Sequence, residues 1–176
     1  MLPTYVFDLD ETLVHSSEAP LDGDDIVKHK VLALAGGKRL YVHVRPGARS
    51  ILTELLKLQR ARYLRIGVWT AATAEYARKI VHLLLGERSS ELAFLKTRRD
   101  CVDIGTHGRP KYVKDLRQIA PPTPRIVIVD DNADNIHLNN MRGYSTILAT
   151  PFFGKRADRE LSRLLRGILS VIAKRS

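Results

Sequence analysis

Apolar residues along this chain fall into two patterns: short unbroken runs, and longer stretches in which they recur every third or fourth position. Unbroken runs, which are typical of strands, occupy residues 5–7, 64–70, 125–131 and 145–149. Stretches with helical spacing, which predict amphipathic helices, occupy residues 48–60, 73–85 and 155–173. Strands that alternate with helices predict right-handed crossovers and a mainly parallel sheet. The expected fold is therefore a three-layer α/β/α, Rossmann-like domain.

A β-hairpin is expected between the first strand and the first helix. Residues 30–34 and 40–44 are rich in strand-forming residues, and they flank Ala35-Gly36-Gly37-Lys38. Two such runs around a Gly-Gly pair are typical of a hairpin. We place this insertion at about residues 26–45, after a loop rich in Asp, Gly and Pro at 18–25.

The pattern weakens between the second helix and the strand at 125–131. Residues 86–110 predict a variable insertion with one candidate strand at 92–96. Residues 111–119 predict a short helix, because the proline-rich stretch 120–124 would end it. With both insertions included, the expected organisation is one domain over residues 1–176.

Polar residues follow three of the predicted strands. Asp8 and Asp10 follow the first, Thr70 ends the second, and Asp130 and Asp131 end the third. Because the carboxyl ends of parallel strands share one edge of a sheet, we expect these side chains to meet in one cleft. Asp8 and Asp10 would repel each other without a cation or a shared proton, and oxygen ligands favour Mg²⁺. The alternative is structural: the aspartates cap helices, and Thr70 is a plain strand-end residue.

Such a cleft would contain the groups that phosphoryl transfer requires. A carboxylate attacks phosphorus and forms an acyl-phosphate, which water then cleaves. A second acid protonates the leaving oxygen and later activates the water. Positive charge, hydrogen-bond donors and Mg²⁺ stabilise the phosphate oxygens and reduce the repulsion between the two anions.

Composition places the chain among globular proteins, with 44% hydrophobic and 27% charged residues. No apolar run approaches the roughly 20 residues of a membrane span. The first residues show no signal or transit peptide. The single cysteine, Cys101, fits a reducing compartment. We therefore expect an intracellular protein, cytoplasmic or nuclear, without a membrane partner. The sequence does not give the oligomeric state, and a monomer is assumed.

The formal net charge of +10 attracts polyanions such as nucleic acid, phosphoproteins or anionic membranes. Much of this charge lies late in the chain, at Lys155, Arg156, Arg159, Arg163, Arg166, Lys174 and Arg175. A solvated helix face would explain the same residues, because charge alone specifies no partner. Nucleic acid therefore stays a possible partner rather than an assigned one.

The motif from Asp8 to Ser17, DLDETLVHSS, resembles the first motif of the small carboxy-terminal-domain phosphatases of the haloacid dehalogenase superfamily. This group includes the phosphatases of the RNA polymerase II tail and NLI-interacting-factor-like proteins. The resemblance continues in order through Arg45-Pro46-Gly47, Trp69-Thr70-Ala71-Ala72, Tyr112-Val113-Lys114-Asp115-Leu116 and Val129-Asp130-Asp131-Asn132. It spans roughly residues 4 to 150, and the five motifs together are highly specific.

The resemblance implies a role for each matching position. Asp8 would be the phosphorylated nucleophile and Asp10 the general acid and base, while Thr70 and Lys114 would bind and neutralise the phosphate. Mg²⁺ would be held by the Asp8 carboxylate, the Asp10 backbone carbonyl and Asp130. Support of the site and contact with phosphate or substrate fall to Thr12, Ala71, Tyr76, Arg98, Arg99, Asp131 and Asn132. Lys111 is a nearby rival for the role of Lys114.

Two positions depart from the polymerase-tail phosphatases and affect substrate recognition. Glu18 stands where those enzymes have an aromatic residue, and Thr73 stands where they have an apolar one. Both would weaken an apolar pocket for a substrate proline.

The leading hypothesis is a Mg²⁺-dependent phosphatase of phosphoserine or phosphothreonine in proteins. The alternatives are a phosphatase of nucleic-acid ends or small phosphoesters, and a non-catalytic binding module of the same fold.

Overall fold

The computed structural model describes residues 1–106 and 108–173. Lys174 and Arg175, two of the basic residues noted above, lie outside this part of the chain. The elements, in chain order, are β1 (Thr4–Phe7), β2 (Val14–Ser17), β3 (His29–Ala33), β4 (Arg39–Val44), α1 (Ala48–Arg60), β5 (Arg65–Trp69), α2 (Ala74–Leu85), β6 (Phe94–Lys96), β7 (Val102–Asp103), β8 (Tyr112–Val113), β9 (Ile126–Asp130), α3 (Ala133–Met141), β10 (Ser145–Leu148) and α4 (Glu160–Ala173).

Five parallel strands form the central sheet, in the order β10-β9-β1-β5-β6. Strand β1 lies in the middle, with Phe7 in register with Val68 of β5 and with Val129 of β9. The chain therefore leaves these three neighbouring strands at the same edge of the sheet. The predicted α/β class with a mainly parallel sheet is confirmed.

Alternate residues of the strands pack into two different layers, as the pleat of a sheet requires. Tyr5 and Phe7 join the apolar core formed with α1, α2 and α4. Val6, between them, joins a second core on the opposite face, with Leu116 and with Ile136 of α3 packed against it. The sheet is thus covered on both sides, which explains the unbroken apolar runs in its strands.

The expected ribbon is present, but it has three strands rather than two. The hairpin β3–β4 pairs antiparallel as predicted, and β2 adds to the other side of β4. Strand β2 contains His15 and Ser16 of the first motif, so the motif runs directly from the central sheet into the ribbon. With only four residues, three of them polar, β2 carries no apolar pattern that would predict it.

The helix predicted at residues 111–119 is wrong. Tyr112–Val113 is a short strand that pairs antiparallel with β7, and only 116–118 form a single 3-10 turn. The extended course is fixed by hydrogen bonds from α3 to the backbone of this segment, described below. The last helix also begins later than predicted, at Glu160 rather than at about residue 155.

Helix α3 does not appear in the apolar pattern at all. Its buried residues are Asn135 and Asn139, which occupy the stripe where an amphipathic helix normally has apolar side chains. Its first turn is capped by Asn132, whose side chain accepts a hydrogen bond from the backbone N–H of Asp134 at 2.9 Å. Within residues 1–106 and 108–173, no helix is long and apolar enough to cross a membrane.

Candidate active site

The structure brings the predicted strand-end residues to one edge of the sheet. Asp8 and Thr70 directly follow β1 and β5, and Asp130 is the last residue of β9. The backbone N–H of Asp8 donates to the carbonyl of Val129 at 3.0 Å, which fixes the direction of the chain as it leaves the sheet. Asp8, Thr70 and Asp130 are all buried.

A buried ammonium group joins two of these carboxylates. Lys114 Nζ lies 2.6 Å from Asp8 Oδ1 and 2.7 Å from Asp130 Oδ2, and its side chain is only 2% exposed. Burial by itself favours neutral lysine, but the charges of Asp8 and Asp130 outweigh it, so the pKa of Lys114 is raised. Lys114 therefore stays cationic at the centre of the cleft. Its rival, Lys111, is half-exposed and pairs instead with Asp134 at 2.7 Å.

The carboxyl group of Asp8 is in a different electrostatic position. Burial raises its pKa well above the ordinary value of 3.8, Lys114 opposes the rise, and the neighbouring Asp130 carboxylate adds to it. The backbone N–H of Leu9 donates to Asp8 Oδ1 at 2.7 Å. A further cation at this carboxyl would favour its ionised form, which is the form that can act as a nucleophile.

Lys114 is held in place by two asparagines that the apolar pattern does not reveal. Asn135 Oδ1 accepts a hydrogen bond from the backbone N–H of Lys114 at 2.9 Å, and its amide donates to Asp130 Oδ2 at 3.0 Å. One turn later, Asn139 Oδ1 accepts from the backbone N–H of Leu116 at 3.0 Å, and its amide donates to the Lys114 carbonyl at 2.7 Å. Two asparagines four residues apart behind a pair of aspartates are the sequence signal for this support.

Asp10 lies on the other side of Asp8, in a hydrogen-bond network of its own. Thr70 Oγ1 donates to Asp10 Oδ2 at 3.4 Å, and the Tyr76 hydroxyl donates to Asp10 Oδ1. Ser16 Oγ lies 2.7 Å from the Tyr76 hydroxyl and completes the chain. Burial raises the pKa of Asp10, although the hydrogen bond from Tyr76 opposes the rise. A carboxyl group that keeps its proton to higher pH than usual suits a general acid.

Tyr76 and Thr70 are fixed more firmly than the sequence implies. Burial raises the pKa of Tyr76, and the charge of Asp10 adds to this effect, so the hydroxyl stays protonated and remains a donor. The backbone N–H of Ala72 donates to Thr70 Oγ1 at 3.0 Å. Tyr76, expected to contact substrate, is thus already bound to Asp10 in this structure.

Three carboxylates offer a place for a metal ion. Oxygen atoms of Asp8, Asp130 and Asp131 all lie within 4.8 Å of one another, and among the described residues this is the one such acidic, histidine or cysteine group. Thr12 Oγ1 donates to Asp131 Oδ1 at 3.1 Å and orients it. An all-oxygen donor set with several negative charges fits a hard cation such as Mg²⁺. The expected ligands Asp8 and Asp130 both belong to this group, and the structure adds the carboxylate of Asp131. The carboxylate of Asp10 is not part of the group, because it accepts hydrogen bonds from Thr70 and Tyr76.

The remaining predicted contacts lie around the rim. Asn132 is exposed, and its side chain is engaged as the cap of α3, so its position gives it a structural role. Arg98 Nε donates to the carbonyl of Ala71 at 2.7 Å, and its guanidinium lies 5.3 Å from the centre of the Tyr112 ring. Arg99 is exposed beside it.

Two open clefts meet at this rim. One, of about 330 Å³, is lined by Asp10, Ser16, Leu34, Lys38, Leu40, Ala72, Thr73, Tyr76 and Arg98. The other, of about 470 Å³, is lined by Thr73, Ala74, Thr97, Arg98, Arg99, Cys101 and Tyr112. They share the lining residues Thr73 and Arg98, and Asp10 lines the first of them; the two adjoining clefts make up a groove beside Asp10. Glu18 does not line either cleft; it pairs with Lys38 at 2.7 Å in solvent.

Cys101 lines the second cleft and is not one of the residues that meet at Asp8 and Asp10. Its sulfur lies 3.8 Å from the carbonyl of Thr70 and 3.7 Å from that of Thr97. Burial raises the pKa of the thiol, so little of it is the reactive thiolate at neutral pH.

Comparison with known proteins identifies similar chains. Residues 3–175 match the family model described as NLI interacting factor-like phosphatase. CTD small phosphatase-like protein 3 of Caenorhabditis elegans is 30% identical over 161 residues, covering 92% of this chain and 51% of that protein. The human carboxy-terminal domain RNA polymerase II polypeptide A small phosphatase 1 is 29% identical over 163 residues, covering 91% of this chain and 56% of that protein. The chain thus spans about half the length of these two relatives.

A solved structure shares the fold. The fission yeast RNA polymerase II CTD phosphatase Fcp1, in its beryllium fluoride complex, aligns over 99% of this chain and 52% of its own, with a TM-score of 0.62 and 16% identity. The family resemblance identified from the five motifs is confirmed by the family model and by these relatives.

Proposed function

The chain belongs to the NLI interacting factor-like phosphatase family, and we propose that it is a Mg²⁺-dependent phosphatase of phosphoserine or phosphothreonine in proteins. The observation that carries the proposal is the division of labour between two neighbouring carboxyl groups. Asp8 contacts the ammonium of Lys114 at 2.6 Å, whereas Asp10 is held separately by Thr70 and Tyr76. Two carboxyl groups in different environments are what a nucleophile and a general acid require.

In the proposed reaction, a carboxylate oxygen of Asp8 attacks phosphorus, and the bond from phosphorus to the ester oxygen breaks. Asp10 gives its proton to that oxygen, so the alcohol leaves neutral. Asp10, now ionised, takes a proton from water as the water attacks the aspartyl-phosphate. The phosphorus–Asp8 bond then breaks and inorganic phosphate is released.

The surrounding residues would hold the phosphate in place during both steps. Lys114 and the hydroxyl of Thr70 would contact its non-bridging oxygens and offset the charge that they carry. Asp8, Asp130 and Asp131 would hold Mg²⁺, which when bound supplies positive charge to the phosphate and keeps Asp8 ionised. Thr12 would keep Asp131 oriented toward the ion.

A protein substrate is favoured by the open groove beside Asp10. Its two clefts share Thr73 and Arg98 and together offer space for peptide residues around a phosphorylated side chain. Leu34 and Leu40 of the ribbon give one cleft an apolar wall despite Glu18 and Thr73. The relatives' names refer to the RNA polymerase II tail. We extend to this chain the chemical class, a phosphorylated protein, together with an intracellular location.

Hydrolysis assays with two substrates test the proposal. An aryl phosphate and a phosphoserine peptide are incubated with Mg²⁺ or with a chelator, and Asp8→Asn is the inactive control. We expect Mg²⁺-dependent release of phosphate from both substrates, abolished by Asp8→Asn. Absence of turnover by folded protein on either substrate would contradict the proposal and favour the non-catalytic module.

Competition assays separate the alternative substrates of the same chemistry. Oligonucleotides with a terminal phosphate are compared with the phosphoserine peptide at low and moderate salt. We expect a higher kcat/KM for the peptide at both salt concentrations. A preference for the oligonucleotide that falls steeply with salt would instead show that the net charge of +10 selects nucleic acid.

A further inference from the structure

The guanidinium of Arg45 is buried beneath the first motif, and the proposed chemistry gives it no part. Its Nε and Nη2 atoms donate to the two carboxylate oxygens of Asp158 at 2.9 and 2.8 Å. The Arg45 side chain is 0% exposed and that of Asp158 is 16% exposed. Such a bidentate pair neutralises both charges and fixes the plane of the guanidinium.

The remaining nitrogen of Arg45 points to the loop that carries Asp10. Nη1 donates to the carbonyl of Thr12 at 3.1 Å and lies 3.5 Å from the carbonyl of Glu11. These two residues directly follow Asp10 in the chain. The ion pair with Asp158 therefore anchors the backbone on which Asp10 depends for its position.

That backbone adopts a conformation that needs support. Glu11 has a φ angle of +55°, in the left-handed region that residues other than glycine seldom occupy. Its carbonyl accepts a hydrogen bond from the backbone N–H of Phe152 at 2.7 Å, and the Phe152 ring lies 5.5 Å from the guanidinium of Arg45. Unfavourable backbone angles persist only where surrounding contacts determine them. Here the contacts come from Arg45 and from residues 152–158.

We infer that Arg45 and Asp158 are positioning residues of the reaction: they hold the Glu11–Thr12 turn so that the Asp10 carboxyl stays against Thr70 and Tyr76. The inference rests on the proposed function, in which Asp10 is the general acid. It makes the segment after β10, far from the first motif in sequence, a part of the catalytic machinery. Arg45 contacts no reacting atom and acts through Asp10.

A comparison of leaving groups separates positioning of Asp10 from general support of the fold. Nitrophenolate leaves without needing a proton, whereas the serine alkoxide of a phosphopeptide requires one. If Asp158→Asn displaces Asp10, it lowers kcat/KM about 10- to 100-fold on the phosphoserine peptide, because small misplacements of catalytic groups have effects of this size. The ratio kcat/KM is used because it covers only the steps through formation of the aspartyl-phosphate, where the leaving group departs. On p-nitrophenyl phosphate kcat/KM falls no more than about threefold, because hydrolysis of the aspartyl-phosphate, in which Asp10 acts for both substrates alike, does not enter kcat/KM.

Two further variants complete the experiment. Glu91→Gln is the matched control, because Glu91 forms a bidentate pair with Arg60 at the surface. Its kcat/KM should match the wild type on the phosphoserine peptide and on p-nitrophenyl phosphate. The double variant Arg45→Met/Asp158→Leu replaces the buried ion pair by apolar side chains, a change that such pairs tolerate when both charges go. It removes the hydrogen bonds to the turn and should show the same selective loss. Rates are taken per folded molecule, with the fluorescence of the single Trp69 as the measure of folded protein.

The outcomes also distinguish this inference from the mechanism. Asp10→Asn must itself lower kcat/KM far more on the phosphoserine peptide than on p-nitrophenyl phosphate; if it does not, the role of Asp10 as general acid fails and the inference fails with it. If Asp10→Asn shows this selectivity while Asp158→Asn and the double variant lower both rates equally, or neither rate, the positioning role alone is overturned. Selective loss in all three variants supports it.

Discussion

Replacing Lys114 by Met tests the electrostatic centre of the site. The change keeps the apolar stem but removes the ammonium that contacts Asp8 at 2.6 Å and Asp130 at 2.7 Å. Lys111→Met is the matched control, because it removes the same charge three residues earlier, where Lys111 is half-exposed and pairs with Asp134.

The expected loss of stability differs strongly between the two variants. Lys114→Met leaves two buried carboxylates without their partner, and breaking a buried pair in this way costs about 3 to 5 kcal/mol. For a chain of this size that corresponds to a fall in Tm of about 6 to 20 °C. Lys111→Met breaks an exposed pair, which contributes about 0 to 1 kcal/mol. Urea and thermal unfolding measure both differences.

The deficit of Lys114→Met should also depend on pH. Burial already raises the pKa of Asp8 while Lys114 opposes the rise, so removing Lys114 raises it further. The folded state then holds this proton more tightly than the unfolded state, whose carboxyl pKa is about 3.9. Stability is therefore recovered as pH falls from 7 toward about 4, and it is lost again as pH rises through the folded pKa. Lys111→Met should show no such recovery.

Activity should follow the same division. Lys114→Met loses the charge that would contact the phosphate, so kcat/KM falls by about 100-fold or more, whereas Lys111→Met keeps the wild-type value. The reasoning is refuted if the two variants unfold at the same urea concentration at pH 7. It is equally refuted if the stability deficit of Lys114→Met grows as the solution is made more acidic.

Three other substitutions examine the support around this centre. Asn139→Ala leaves the Leu116 N–H unpaired and should lower the free energy of unfolding, measured by urea denaturation, by about 1 to 3 kcal/mol. Unchanged stability would contradict the role given to Asn139. Tyr76→Phe removes a hydrogen bond that lowers the pKa of Asp10, so this pKa should rise. The limb of the pH–rate profile that reports protonated Asp10 should then move to higher pH, and a shift to lower pH would contradict this. Asp131→Asn removes a candidate ligand charge and should weaken Mg²⁺ binding in calorimetry, whereas unchanged affinity would exclude Asp131 from the metal site.

Much of the fold could be predicted from periodicity, because its strands and most of its helices bury apolar side chains. The run at residues 126–130 is covered on both faces of the sheet, and its unbroken Ile and Val residues show this directly. Helix α1 buries a regular apolar stripe and begins and ends where its spacing predicts. In such elements, burial and sequence pattern express the same physical requirement.

The elements that position the site were harder to predict because hydrogen bonds, rather than apolar contacts, fix them. Asn135 and Asn139 replace the apolar stripe of α3, and they hold the segment around Lys114 extended although its spacing predicts a helix. Arg45 was visible only as part of a motif, and Asp158 had no local signal, because their contact joins positions 113 residues apart. Long-range polar pairing leaves no periodic trace in a sequence.

Chemical trapping of the phosphorylated intermediate tests the central claim most directly. The protein is mixed with Mg²⁺ and phosphoserine peptide, quenched during turnover and treated with borohydride, which reduces an acyl-phosphate to the alcohol; mass spectrometry then locates the modified residue. We predict that Asp8 is converted to homoserine, and only when both Mg²⁺ and substrate are present. Turnover without modification of Asp8, or modification at Asp10 or Asp131 instead, would contradict the account.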